Sequence, residues 1–142
     1  MLVVLNDEIN SARDATKTNT YRVETFRAPE LGLLGYVDAD RVSFYRASTK
    51  RHTVRSEFDV AALANLPQVE ILYSYVQPSA ALVPTLVAAG VKGIVFAGTG
   101  AGGLSAEERQ GVQAIAAMPA ASRPILVRSS RTGNGRVIAT SE

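Results

Sequence analysis

The chain has 142 residues, of which 46% are hydrophobic and 20% charged, a composition typical of a folded globular protein and not of a disordered one. It contains no cysteine and one histidine, which excludes disulfides, thiol nucleophiles and clusters of histidine metal ligands. The formal net charge of +2 argues against a nucleic-acid-binding domain. No apolar run approaches the roughly 20 residues that span a bilayer, and no export signal opens the sequence.

The first residues predict a strand followed by a loop. Residues 2–5 are four consecutive apolar residues, which predicts a buried strand that Asn6 and Asp7 end. The polar stretch of residues 6–19 predicts a loop. Residues 21–26 predict a short helix or an extended segment, and Pro29 ends either.

A hairpin and a linker follow. Residues 31–37 and 41–46 predict the two arms of a β-hairpin, joined by the acidic turn at residues 38–40. Residues 47–58 are polar and lack helical or strand periodicity, which predicts a linker. The basic run at residues 50–52 is typical of a solvated loop, although such a run can also bind an anion.

The second half alternates strands and helices, which predicts an α/β fold with a parallel sheet. Ser105 and Glu108 predict a capping box at the start of the second helix, and Pro84 falls near the first turn of the first helix. The predicted elements are a strand at 69–75, a helix at 79–89, a strand at 93–97, a helix at 106–118 and a strand at 124–128.

Three loops follow the predicted parallel strands, at residues 75–79, 98–105 and 129–135. Because the carboxyl ends of parallel strands meet at one edge of a sheet, where ligands bind, we expect these loops to share one rim.

The loop at residues 98–103 matches the dinucleotide pattern G-x-G-x-x-G, between a strand and a helix. The next strand ends in Arg128-Ser-Ser-Arg131 where an acidic residue would hold a ribose hydroxyl, so this interpretation favours NADP. The capping box at Ser105 argues against it, because the helix then begins beyond the third glycine.

Lys17 is the first candidate for acid–base chemistry. Residues 13–20 read Arg-Asp-Ala-Thr-Lys-Thr-Asn-Thr and surround this lysine with hydroxyls. Partial burial and hydrogen bonding change the proton affinity of an ammonium group, and a lysine so adjusted can transfer protons near neutral pH. A polar loop with an exposed lysine is the structural alternative. We expect Arg13 and Asn19 to fix the loop.

Five segments in order give the chain a resemblance to a known family. They are residues 2–8 (Leu-Val-Val-Leu-Asn-Asp-Glu), 13–20, 31–36 (Leu-Gly-Leu-Leu-Gly-Tyr), 94–103 (Ile-Val-Phe-Ala-Gly-Thr-Gly-Ala-Gly-Gly) and 127–135 (Val-Arg-Ser-Ser-Arg-Thr-Gly-Asn-Gly). This order resembles the middle and later part of a bacterial L-asparaginase of the type II or glutaminase-asparaginase kind.

Two motifs of that family are missing. The family carries its threonines in a Thr-Gly-Gly-Thr-Ile-Ala-like motif and a His-Gly-Thr-Asp-Thr-like motif, and the sequence contains neither. The resemblance therefore implies a middle-to-C-terminal fragment without the nucleophile. The implied organisation is the end of an N-terminal α/β domain with the lysine loop and hairpin at residues 1–46, a linker at 47–58, and an incomplete C-terminal α/β domain at 59–142.

The resemblance implies amide hydrolysis. Members of the family hydrolyse L-asparagine, some of them also L-glutamine, to the acid and ammonia, with a threonine nucleophile, an activating lysine and an aspartate, and with no metal or organic cofactor. Lys17 matches the catalytic lysine by its neighbours, whereas Thr16 and Thr18 do not match the nucleophile positions.

The resemblance also implies binding groups at a subunit interface. Gly100, Ala101 and Gly102 match an interface loop near the site, where some members carry asparagine in place of Ala101. Glu142 falls about where a neighbouring subunit's glutamate contacts the substrate, and a terminal residue without function is the alternative. The implied partners are a small-molecule substrate and further copies of the chain in a homotetramer, without nucleic acid or membrane.

Two other functions stay open. Without the threonines, the isolated chain would be a non-catalytic binding or assembly module of asparaginase-like fold. NADP binding through residues 98–103 is the third. The location stays open, since both a periplasmic and a cytoplasmic location of the intact protein are compatible with the sequence.

Overall fold

The computed structural model describes residues 1–61 and 63–138. The chain divides into two compact units, Met1–Ala62 and Leu63–Glu142. No helix within the described ranges is both long enough and apolar enough to cross a membrane. The predicted linker contains a 3-10 turn at Thr53–Arg55, and its bounds at residues 47–58 stay a prediction.

The first unit is built from short antiparallel strands. Four of them form one sheet in the order β1-β2-β5-β6, and β3 and β4 form a separate two-stranded ribbon. The strands are β1 (Leu2–Leu5), β2 (Glu8–Ser11), β3 (Thr16–Lys17), β4 (Phe26–Arg27), β5 (Gly35–Asp38) and β6 (Arg41–Phe44).

A two-residue turn joins β1 to β2. Leu5 pairs with Glu8, and the residues between them, Asn6 and Asp7, have φ angles of 49° and 62°. Two positive φ angles are typical of the type I′ turn that matches strand twist, and asparagine and aspartate tolerate that backbone conformation. The prediction of a loop over residues 6–19 is therefore wrong in part, because β2 and β3 lie within it.

Burial in this sheet differs from the expectation. Leu2 and Val4 are 47% and 55% exposed, so the prediction of a buried strand at residues 2–5 is wrong for burial, although the strand itself is confirmed. The reason is position, because β1 is at the edge of the sheet while β2 lies inside it with Ile9 buried. The predicted hairpin is confirmed as β5 paired with β6. Residues 21–25 form bends and turns that lead into β4, so the prediction of a short helix or an extended segment over residues 21–26 holds only for Phe26.

The second unit confirms the predicted α/β fold. Its sheet is parallel, with the strand order β7-β8-β9, and β8 pairs with both neighbours. The elements are β7 (Val69–Tyr73), α1 (Leu82–Ala88), β8 (Gly93–Gly98), α2 (Ala106–Ala116) and β9 (Ile125–Ser130). Pro84 is the third residue of α1, where its missing N–H has no helical partner to lose.

Both helices of the second unit pack on one face of its sheet. Ile94 and Phe96 of β8 are fully buried against Val83 of α1 and Ile115 of α2. Residues on the opposite face are exposed, although parallel sheets are usually covered on both faces. The exposed fractions are 50% for Val69, 61% for Ile71, 64% for Tyr73, 72% for Ile125 and 47% for Val127.

The predicted capping box begins α2. The Ser105 hydroxyl accepts a hydrogen bond from the Glu108 N–H at 3.1 Å, and the Glu108 carboxylate accepts one from the Ser105 N–H at 2.8 Å. The same carboxylate accepts a hydrogen bond from the Ser74 hydroxyl, at 2.8 and 2.9 Å from its two oxygens. Glu108 is only 4% exposed, so one buried carboxylate joins the end of β7 to the start of α2.

Replacement of Glu108 by alanine should destabilise the second unit by about 2 kcal/mol, because the Ser74 hydroxyl and the Ser105 N–H would lose a charged acceptor. Glu107→Ala is the matched control, since Glu107 is in the same helical turn and its substitution removes the same charge. It should change the free energy of unfolding by no more than ~0.5 kcal/mol. Native-state amide exchange of β8 measures both free energies. Equal effects of the two substitutions would contradict this account.

Asn10 provides a test in the first unit. Its side-chain Nδ2 is buried without a hydrogen-bond partner among the described residues, and an unsatisfied buried donor costs about 1–3 kcal/mol. Asn10→Leu has a similar volume and removes that donor, so it should raise the opening free energy measured by amide exchange of β2. A lower free energy in Asn10→Leu would mean that the amide is hydrogen-bonded in solution.

Candidate functional site

Lys17 lies on the two-stranded ribbon of the first unit. It belongs to β3 and pairs with Phe26 of β4, while Thr16 pairs with Arg27. The ribbon continues into the loop of residues 18–25. The backbone around the candidate lysine is therefore set by hydrogen bonds across this ribbon and within its loop.

The loop is closed by hydroxyl and amide side chains. The Thr18 N–H and hydroxyl both donate to the Thr25 carbonyl oxygen at 2.8 Å. The Thr25 hydroxyl donates to the Asn19 carbonyl oxygen at 2.5 Å and accepts from the Asn19 N–H at 2.8 Å. The Asn19 Oδ1 accepts from the N–H groups of Tyr21 and Arg22 at 2.9 and 3.0 Å. These bonds confirm that Asn19 fixes the loop, and Thr25 is a structural partner that the sequence analysis missed.

The Lys17 ammonium group itself is exposed, and it has no hydrogen bond or ion pair to another described residue. The expectation that neighbouring hydroxyls hold a partly buried ammonium is wrong for the described part of the chain. The reason is that the hydroxyls of Thr18 and Thr25 bond to backbone oxygens instead. The hydrogen bonds of Thr18, Asn19 and Thr25 therefore order the main chain and leave the Lys17 side chain available to another group.

The three parallel strands of the second unit end at a common rim. The backbone N–H of Arg131 donates to the Gly98 carbonyl oxygen at 2.9 Å, and its guanidinium donates to the Ser74 carbonyl oxygen at 2.5 Å. The Ser130 hydroxyl donates to the Gly100 carbonyl oxygen at 2.5 Å. These contacts join the carboxyl ends of β7, β8 and β9, as predicted. Sequence analysis missed the roles of Ser130 and Arg131, although their position at the end of a strand is a usable signal.

The glycine loop of residues 98–103 folds back on itself. Thr99 and Gly103 form an isolated antiparallel bridge. A Cβ at Gly98 would lie 2.7 Å from the backbone of Gly102 and Gly103, so this first glycine permits the loop to close. Gly100 and Gly102 have φ angles of 51° and 94°, which disfavour any other residue.

The start of α2 is unsuited to a dinucleotide. In the dinucleotide fold a pyrophosphate sits at the helix N-terminus, where free N–H groups and the helix dipole favour an anion. Here the buried Glu108 carboxylate already occupies that end of α2 and bonds to Ser105. A pyrophosphate would meet a like charge, so the NADP alternative is disfavoured.

A groove of about 710 Å³ lies beside the glycine loop. Ala101 and Gly102 line one side of it, and Arg109 and Arg128 contribute the charged groups. This volume is in the range of small-molecule pockets. The described residues contain no group of three histidine, aspartate or glutamate side chains that could hold a metal ion.

The predicted site residues are distributed over both units. Gly100, Ala101 and Gly102 lie together at the rim of the second unit, beside Ser130. Lys17 lies in the first unit. Glu142 lies outside the described residues, so its predicted role stays a prediction.

Comparison with known families gives a match in each unit. Residues 1–50 match the family described as "Asparaginase, N-terminal". Residues 68–142 match the family described as "Glutaminase/Asparaginase C-terminal domain".

Curated relatives extend this similarity over nearly the whole chain. The chain is 45% identical to "L-asparaginase 2" of Bacillus subtilis over 136 residues, which cover 96% of this chain and 35% of that protein. It is 40% identical to "L-asparaginase 2" of Escherichia coli, over 95% of this chain and 38% of that protein. It is 42% identical to "Glutaminase-asparaginase" of Pseudomonas fluorescens biotype A, over 81% of this chain and 34% of that protein. The chain thus spans little more than a third of the length of these relatives, and it belongs to the glutaminase/asparaginase family.

Proposed function

We propose that this chain forms the catalytic-lysine and glycine-loop part of an amidohydrolase that converts L-asparagine and water to L-aspartate and ammonia. The observation that carries the proposal is Lys17 on an ordered ribbon, inside a segment that matches the asparaginase family. The relatives are named L-asparaginase or glutaminase-asparaginase, which supports L-asparagine as the substrate and L-glutamine as a second candidate.

In this proposal the neutral amine form of Lys17 is the base that takes the proton of a threonine nucleophile, and the resulting ammonium returns that proton to the leaving nitrogen. A threonine hydroxyl attacks an amide only when a neighbouring base takes its proton. The sequence contains neither of the family's threonine motifs, so the threonine belongs to a part of the enzyme outside these 142 residues. The hydroxyl oxygen adds to the amide carbon, ammonia leaves with the transferred proton, and water then hydrolyses the acyl ester to aspartate.

The exposed position of Lys17 is compatible with this role. Its side-chain nitrogen has no partner among the described residues to give up before it contacts the nucleophile. The bonds of Thr18, Asn19 and Thr25 hold the ribbon without using the lysine. The ribbon thus fixes the backbone of Lys17, and the contacts that hold its side chain in a productive geometry come from the rest of the enzyme.

The proposal includes a homotetramer in which neighbouring chains complete each site. Gly100, Ala101 and Gly102 would form the interface loop next to the substrate, and Glu142 of a neighbouring chain would bind the amino group of the substrate. Ala101 cannot make a side-chain hydrogen bond. This loop therefore offers its backbone in place of the asparagine amide that some family members carry.

A non-catalytic binding or assembly module is the second candidate. The absence of the threonine motifs favours it for the chain by itself. The two candidates differ in what the chain does when the missing groups are supplied.

The purified 142-residue chain should release no ammonia from L-asparagine above the buffer background, because it lacks the nucleophile. A coupled ammonia assay measures this. Turnover by the chain, abolished in Lys17→Ala, would refute the assignment of the threonine to another part of the enzyme.

The catalytic part can be tested in a chimera. The segment of the Bacillus subtilis relative that matches this chain is replaced by the chain, and asparagine hydrolysis is measured. Lys17→Ala should lower kcat by about 10²–10⁴, the usual contribution of a general acid–base group. Lys50→Ala is the matched control, since it removes another exposed lysine of the same unit, and its activity should equal that of the parent chimera.

An active chimera with full activity in Lys17→Ala would refute the role of Lys17. A chimera that folds, as judged by circular dichroism, and lacks activity would favour the assembly module.

A further inference from the structure

At the tip of the glycine loop, the peptide group between Gly100 and Ala101 takes no part in the hydrogen bonds that close the loop. The N–H and carbonyl groups of Thr99 bond to Gly103 at 2.9 and 2.7 Å, and the Gly102 N–H donates to the Thr99 carbonyl oxygen at 3.0 Å. These bonds close the turn from within. Gly100 and Ala101 stand outside this set of bonds, and both are exposed.

Ser130 fixes the peptide between Gly100 and Ala101. Its hydroxyl lies 2.5 Å from the Gly100 carbonyl oxygen. A carbonyl oxygen only accepts, so Ser130 is the donor in this contact. The Thr132 hydroxyl lies 2.9 Å from the same Ser130 oxygen. The Ser130 oxygen also accepts a hydrogen bond from the Thr132 N–H at 3.2 Å, which holds the hydroxyl in place.

The direction of the Ala101 N–H follows from this bond. In a trans peptide the N–H points opposite to the carbonyl of the same peptide plane, and the chain contains no cis peptide among its described residues. Because the Gly100 carbonyl points to Ser130, the Ala101 N–H points away from β9. It has no hydrogen-bond partner within residues 1–61 and 63–138.

The charges around this N–H favour an anionic ligand. Arg109 and Arg128 line the same groove as Ala101, whereas the Glu108 carboxylate at the start of α2 is buried and already bonded to Ser74 and Ser105. Arg131 bonds to the rim itself, at the Ser74 carbonyl oxygen. A backbone N–H held in one direction among positive charges is a suitable donor to a carboxylate.

We infer that Ser130 is a positioning residue that orients the Ala101 N–H to donate a hydrogen bond to a carboxylate oxygen of a small amino-acid ligand at the rim. This inference rests on the proposed function for the class of ligand. It assigns to the backbone of Ala101 a contact that its methyl side chain cannot make.

The experiment follows the amide resonances of the ¹⁵N-labelled 142-residue chain during titration with L-aspartate, the proposed product. The Ala101 amide should shift to lower field as the ligand binds. In Ser130→Ala this shift should fall by roughly fivefold, because loss of one net hydrogen bond lowers the population of the oriented peptide by about that factor. Ser130→Thr keeps the hydroxyl, so the shift should return in that variant. Ser129→Ala is the matched control, because the Ser129 hydroxyl has no hydrogen bond within the described residues. The Ala101 shift in this variant should equal that of the unmodified chain. Neutral succinamide, which lacks a carboxylate, should leave the Ala101 amide unmoved.

The outcomes separate this inference from the proposed function. If L-aspartate shifts other rim amides and leaves Ala101 unmoved, the inference is wrong and the proposed substrate class stands. An Ala101 shift of equal size in Ser130→Ala would refute the role of Ser130. If no resonance of the chain responds to L-aspartate, the inference is wrong, and the proposed function is then decided by the activity of the chimera. Retained hydrogen-exchange protection of the Gly103 amide in Ser130→Ala establishes that the loop is still folded in the variant.

Discussion

Arg131 makes the contacts on which the rim of the second unit depends. Its backbone N–H bonds to the end of β8 and its guanidinium to the end of β7, so its side chain crosses the end of the central strand. A planar guanidinium with five donors can reach a distant carbonyl and still leave donors for other groups. Because this residue directly follows β9, it fixes all three strand ends at one level. The glycine loop starts at the end of β8, so the contacts of Arg131 also determine where the loop begins.

In both units, polar side chains form hydrogen bonds to the backbone next to a candidate functional group. In the first unit, Thr18, Asn19 and Thr25 bond to main-chain atoms and order a loop next to Lys17. In the second, Ser130 bonds to a main-chain oxygen at the tip of the glycine loop. Polar side chains therefore determine the path of the chain in both places. The Lys17 ammonium and the Ala101 N–H have no described partner, and they are the groups to which the two proposals assign contacts with a ligand.

The second unit could be predicted from the sequence because each of its elements carries a local signal. Consecutive apolar residues marked the strands, Pro84 marked the start of α1, and Ser105 with Glu108 marked the start of α2. In the first unit, β2 reads as polar and could not be predicted, since Asn10 and Ser11 are buried only through pairing with neighbouring strands. The bond between Ser130 and Gly100 spans 30 residues and depends on the register of two strands, which no local pattern contains. Likewise, the sequence placed hydroxyls beside Lys17 but gave no information on which oxygens they would bind.

Five apolar side chains are exposed on the face of the β7-β8-β9 sheet that the helices do not cover, and this exposure affects how the cell handles the chain. Exposed apolar strands are the surfaces that chaperones bind and that lead to aggregation at cellular concentrations. Proteolytic quality control then competes with whatever molecule or segment shields those side chains. The abundance of the chain should accordingly depend on how quickly that shielding is acquired after synthesis, and not only on its equilibrium stability.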